Sequence, residues 1–216
     1  MRIRLPSGTP SARALVDGAE QGLVVVPDIM GLRPLVDDLI ARLSSEWGWS
    51  VCAPELYPDR ESLDLEGRLE AAAGLSDERV LGDLVEAADA TGCRRVGILG
   101  FCMGGMYTIK AVATGRFRRH VPFYGMIRLP TAWRGSGQGE PLEALSRSDP
   151  RTVLAIIGVE DPYTPPGDVD ALEAAGATVV RYAEAEHGFV HDPQRPAHRP
   201  DDAADAWRRA HHWLSG

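Results

Sequence analysis

Gly100-Phe101-Cys102-Met103-Gly104-Gly105 follows directly on the apolar run Arg95-Val96-Gly97-Ile98-Leu99. The run has the length and composition of a central, buried strand, and the residues after the glycine turn predict a helix from about Gly104 to Ala113. Between them, Gly-x-Cys-x-Gly fits the nucleophile elbow, Gly-x-Ser-x-Gly, with cysteine in the serine position. An elbow turns a strand abruptly into a helix and leaves the nucleophile in a strained backbone conformation. Side chains two residues to either side would collide, so glycine is required there. The helix behind it aims free N–H groups and a positive dipole end at the sulfur, favouring thiolate and later an oxyanion. With 23 glycines and three cysteines in 216 residues, chance matches to this pattern number only about 0.03. The competing reading is an inert cysteine buried in a glycine-rich turn.

Outward from the elbow, strand-length apolar runs alternate with helical periodicity. Gly22–Val26, Ser50–Ala53, His120–Tyr124, Thr152–Ile157 and Thr178–Tyr182 read as further strands. Leu35, Val36, Leu39, Ile40, Leu43 and Trp47 recur at helical spacing, with Pro34 suited to the first turn. Ser76 is a plausible N-cap for a helix carrying Val80, Leu84 and Ala88, with Asp77 and Glu78 well placed at its positive end. Val169–Ala175 and Asp201–Leu214 complete the helices. This alternation predicts an α/β fold with a mostly parallel sheet covered by helices on both faces. Residues 1–17 read as an N-terminal antiparallel edge hairpin over Ser7-Gly8-Thr9-Pro10. No linker or repeat divides the chain, so 1–216 is expected to form one domain. Residues 128–149, glycine-rich and carrying Trp133, are expected to be the longest irregular stretch and a candidate lid.

An elbow needs a base and an orienting acid, in chain order nucleophile, acid, histidine. Asp161 falls just past one strand, in Gly158-Val159-Glu160-Asp161-Pro162. His187 falls just past another, in Glu184-Ala185-Glu186-His187-Gly188-Phe189. Such strand ends converge on one edge of an open sheet, where ligands bind. His187 would take the thiol proton and Asp161 would hold its tautomer. Glu160 and His191 are the neighbouring alternatives. Tyr124, at the end of another strand, is a candidate for shaping the pocket.

Composition narrows the field. The formal net charge of −8 disfavours a nucleic-acid partner, since phosphates would be repelled. No run of about 18 apolar residues occurs, so no membrane span is expected, and no signal-peptide stretch opens the chain. Three scattered cysteines, with no CxxC pair, suggest free thiols in a reducing, cytoplasmic setting rather than a disulfide framework or a thiolate zinc site. A dinucleotide site would need an acidic residue about 20 positions past its glycines, and none occurs from Met106 through Gly139. A metal site on His187, His191 and Asp192 would need a helix that Gly188 and Pro193 oppose. No cofactor and no metal are expected.

These segments resemble the dienelactone hydrolase family of the α/β-hydrolase fold. The resemblance runs from Leu23 to the last helix, through Val24–Leu32, Ala53-Pro54-Glu55-Leu56-Tyr57, the elbow, Phe123-Tyr124-Gly125, Asp161 and His187-Gly188-Phe189. It implies a Cys102–His187–Asp161 triad, an oxyanion hole from the N–H groups of Ile29 and Met103, and a small ester or lactone substrate. It also implies an acid near the resting thiol, at Asp28, one methylene shorter than the family's glutamate; the other reading of Asp28 is a turn residue. Family members that act on dienelactone hold its carboxylate with arginines. Here His191 stands where one of them is expected, with Arg195 a few residues on, and Arg68 is a loose match for the other. The resemblance therefore supports the hydrolase class but not dienelactone itself. A carboxylesterase or thioesterase on the same triad, and a non-catalytic small-molecule-binding protein, are the alternatives.

Overall fold

The computed structural model describes residues 1–216. In chain order the strands are β1 (Arg2–Arg4), β2 (Pro10–Ala14), β3 (Gln21–Val26), β4 (Ser50–Pro54), β5 (Arg95–Phe101), β6 (His120–Phe123), β7 (Leu154–Gly158) and β8 (Thr178–Tyr182). The helices are α1 (Pro34–Trp47), α2 (Leu65–Ala71), α3 (Asp77–Asp89), α4 (Met103–Lys110), α5 (Pro141–Ser146), α6 (Pro166–Ala174) and α7 (Pro200–Ser215). The strands form one eight-stranded sheet in the order β1-β2-β4-β3-β5-β6-β7-β8. β1 and β2 run antiparallel at one edge, and the six strands from β4 to β8 are parallel.

Strand period explains how both faces are buried. Along β3, Leu23 and Val25 join one core cluster while Val24 and Val26 join the other. On the first face pack α1, through Val36, Leu39, Ile40 and Leu43, and α7, through Ala206, Ala210 and Leu214. On the second face pack α3, through Val80 and Leu84, and α4, which is buried along its whole length. A fully buried leucine such as Leu43 contributes about 1.5–3 kcal/mol over its exposed state. Ser76 caps α3 by accepting from the Arg79 N–H, and Pro34 opens α1.

The order in which strands are added to the sheet reverses between β3 and β5. The crossover through α1 leads from β3 outward to β4, and the crossover through α4 leads from β5 outward the other way to β6. The carboxyl ends of β3 and β5 therefore flank a crevice, where open parallel sheets bind ligands.

Two local features differ from the sequence expectation. α2 has no anticipated counterpart, because its apolar residues Leu65 and Leu69 remain half-exposed and give it no buried stripe. Residues 128–149 are less irregular than expected: they carry a 3₁₀ turn at Thr131–Trp133 and the helix α5. Gln138 Nε2 donates to the carbonyls of Ala72 and Trp133, both at 2.8 Å, and Asp77 accepts from the Gly139 N–H at 2.8 Å. These bonds pin the segment to the start of α3.

Candidate active site

Cys102 sits between β5 and α4 with φ 56 and ψ −117, a conformation that side chains other than glycine rarely adopt. Two close approaches hold it there. A Cβ on Gly100 would lie 2.4 Å from the Gly104 carbonyl oxygen, and one on Gly104 would lie 2.2 Å from the carbonyl oxygen of Pro27. The bend thus brings the start of α4 against the end of β3, and only glycine fits both contacts. Of the three cysteines, Cys52 and Cys93 are buried and Cys102 alone is partly exposed.

The chain brings Asp161 and His187 together beside it. Asp161 Oδ2 lies 2.8 Å from His187 Nδ1, and Asp161 Oδ1 accepts from the Tyr163 N–H at 2.8 Å. Asp161 is fully buried, whereas the neighbouring Glu160 is exposed and makes no ion pair with His187. Burial pulls the His187 imidazolium down, but its hydrogen bonds with Asp161 and Cys102, and their charges, outweigh this and raise it to about 9.

Cys102 and His187 line one cleft of about 620 Å³, together with Asp28, Ile29, Trp133 and Arg195 among others. The N–H groups of Ile29 and Met103 donate to no protein atom. Ile29 follows the end of β3 and Met103 is the first residue of α4. The loop carrying Ile29 is clamped from behind by a buried ion pair. Glu55 accepts from the N–H groups of Leu32 (2.8 Å) and Tyr57 (2.9 Å) and from Arg68 Nη1 (3.1 Å), and Arg68 Nη1 also reaches the Ile29 carbonyl at 3.3 Å.

Arg68 is thus corrected as a candidate for holding a substrate carboxylate. Its side chain is 2% exposed, and its nitrogens are taken by Glu55 and by the carbonyls of Ile29, Glu61 and Leu63. Asp28 borders the cleft but makes no hydrogen bond with the thiol. Its Oδ1 accepts from the Met30 N–H (3.0 Å) and Arg33 (2.6 Å), and its Oδ2 from Arg33 (2.8 Å) and His191 (2.9 Å). Burial alone would raise this carboxyl; the bonds from His191 and Arg33 reverse that and hold it well below the usual range. Tyr124 and His191 lie behind the cleft, both buried, 2.5 Å apart through Tyr124 Oη and His191 Nδ1. With both ring nitrogens committed, His191 does not join His187 and Asp192 in a ligand cluster.

The sequence reading missed Arg33, Leu65 and Leu69 as cleft residues. Arg33 carried a weak signal, standing between the strand end and Pro34, but the two leucines carried none.

No helix is long and apolar enough to cross a membrane. The sequence profile of the dienelactone hydrolase family matches residues 11–216. A relative from Methylorubrum extorquens, assigned as a carboxymethylenebutenolidase, is 31% identical over 99% of this chain and 79% of its own. The carboxymethylenebutenolidase of Rhodococcus opacus is 29% identical over 89% of this chain and 79% of its own. A crystal structure from Klebsiella pneumoniae, assigned as a dienelactone hydrolase, superposes with a TM-score of 0.85 at 28% identity, covering 100% of this chain and 97% of that one. Family profile, relatives and fold agree with the crevice and its elbow: the chain belongs to the dienelactone hydrolase family and is an ester or lactone hydrolase of the α/β-hydrolase fold.

Proposed function

We propose that the chain hydrolyses its ester or lactone through a Cys102–His187–Asp161 triad and an acyl-thioenzyme intermediate. The observation that carries this reading is the accessible thiol of Cys102 at a strained strand-to-helix bend, in the same cleft as a histidine that Asp161 holds at 2.8 Å. The Cys102 thiolate, paired with the His187 imidazolium, attacks the carbonyl carbon, and a C–S bond forms as the carbonyl electrons move to oxygen. The free N–H groups of Ile29 and Met103 receive that oxyanion; losing one such donor costs about 3–4 kcal/mol in known hydrolases. Collapse breaks the C–O bond, and His187 gives its proton to the departing alkoxide. Water then attacks the thioester, His187 takes its proton, the C–S bond breaks, and the carboxylic acid leaves. Asp161 keeps the Nδ1 proton of His187 in place throughout. Three unpaired cysteines suit a reducing compartment, which would keep the Cys102 thiol available.

The test is initial-rate hydrolysis of a short-chain aryl ester and a small lactone by the wild type and by Cys102→Ala. Near-complete loss in a folded variant is expected. Equal rates in the two proteins would refute the thiol mechanism.

A further inference from the structure

The two sides of the reacting thiol differ in chemistry. Only six large hydrophobic side chains are exposed on the whole chain, and three of them stand around this cleft: Leu65 (50%), Leu69 (42%) and Tyr163 (61%). Leu65 and Leu69 are one turn apart on α2, and with Met30, Met126 and Trp133 they make an apolar wall. Half-exposed leucines on a short helix add little to the core, so their cost in hydration is offset only if something apolar covers them.

Charge is arranged differently. Two cations line the cleft, Arg33 and Arg195. Arg33 is bound at 2.6 Å and 2.8 Å to the two oxygens of Asp28, so its charge is cancelled in place. Arg195 is exposed and has no carboxylate partner, but Asp192 lines the cleft with it. Beyond His187 a second depression, of about 550 Å³, shares Tyr163, His187 and Arg195 with the cleft and adds Glu160 and Glu186. Arg195 borders the acidic depression as well as the cleft, whereas a carboxylate lying along Leu65 and Leu69 would lose its hydration against apolar side chains.

The chemistry assigns the two sides. His187, which protonates the leaving group, borders both hollows while Leu65 and Leu69 border the cleft alone, so a leaving group turned to the acidic depression puts the acyl group along the leucine wall. We infer that the enzyme prefers neutral esters with an apolar acyl group over carboxylated ones, and that Leu65 and Leu69 set the preference. This rests on the thiol-hydrolase reading above. It separates the chain from relatives named for carboxymethylenebutenolide, whose name states a carboxyl group.

The experiment compares kcat/KM for 4-nitrophenyl acetate, butyrate and hexanoate, and for the 4-nitrophenyl monoester of succinate. Full burial of one methylene is worth about a fourfold gain, so a rise of at least about twofold per added methylene is expected in a half-open cleft. The succinate monoester is expected to be at least about tenfold slower than the butyrate, because its carboxylate is desolvated against apolar side chains. In the Leu65→Gln/Leu69→Gln double variant the hexanoate-to-acetate ratio falls several-fold. That ratio does not depend on how much of the variant is folded. A flat acyl series, a succinate ester as fast as the butyrate, or an unchanged ratio in the double variant would overturn the inference while leaving a Cys102-dependent hydrolase standing. Absence of Cys102-dependent hydrolysis for every ester would overturn both.

Discussion

His191 Nε2 lies 2.9 Å from Asp28 Oδ2, and its other nitrogen lies 2.5 Å from Tyr124 Oη. Asp28 can only accept, so Nε2 carries a proton and donates, and a neutral ring then accepts at Nδ1 from the Tyr124 hydroxyl. The ring also stacks on Phe101 at 4.5 Å. One buried imidazole thereby ties the loop that carries Ile29 to Tyr124, whose ring packs against His187 at 5.1 Å. Tyr124 itself has φ 38, a strained value for a bulky residue, which this contact helps to maintain.

His191→Phe keeps the stacking on Phe101 but removes both hydrogen bonds. It leaves the Tyr124 hydroxyl buried without a partner, a loss of about 1–3 kcal/mol, to be read from urea unfolding. On the proposed mechanism the two loops it joins serve the reacting carbonyl rather than the substrate's periphery. Steady-state kinetics should therefore show kcat falling by a larger factor than KM rises. A rise in KM alone would mean that His191 contacts substrate directly.

The Glu55–Arg68 pair is the most deeply buried ion pair of the chain, with side chains 0% and 2% exposed. Removing one member strands the other charge in the interior, at a cost of about 3–5 kcal/mol. Arg68→Met should accordingly lower the denaturant midpoint sharply. The double variant Glu55→Gln/Arg68→Met should be more stable than Arg68→Met, because no unpaired charge remains. A double variant less stable than the single would show that the pair's attraction, not the stranded charge, dominates.

His120 opens β6 on the opposite edge of the sheet from Cys102. It is 2% exposed, with neither ring nitrogen in a hydrogen bond. Burial lowers its pKa from 6.5 to about 4, against a smaller opposing pull from the carbonyls of Ala111 and Thr152. The unfolded chain takes up this proton near its ordinary value and the folded chain does not, so stability falls as pH drops from about 6.5 to about 4. The slope from this one group is at most about 1.4 kcal/mol per pH unit. Chemical unfolding across that range should show the loss in the wild type and a shallower profile in His120→Leu. Identical profiles would mean that His120 protonates freely in the folded state.

The parallel sheet was legible in the order of residues because each buried strand and each amphipathic helix carries its own period. Leu23 and Val25 alternate with Val24 and Val26 across β3, and Leu39, Ile40 and Leu43 share one side of α1. The elbow was legible too, because its glycines are required by contacts within a few residues and with the neighbouring strand. Cys102, Asp161 and His187 could be nominated since each follows the end of a strand, and parallel strands end on one edge.

What lies behind and beside them was not legible. Arg68 looks like a free cation in the sequence, but only the fold sets Glu55 and three carbonyls around it. Asp28, Tyr124 and His191 are far apart in the chain, and their linkage is decided by which loops the sheet stacks together. The apolar wall of Leu65 and Leu69 escapes any periodic reading, because a helix that covers a cleft rather than a core buries no stripe of its own. Local periodicity and turn chemistry determined the scaffold and nominated Cys102 as the candidate nucleophile. The burial, pairing and cancellation of charge around it depend on long-range packing, and only the tertiary structure decided them.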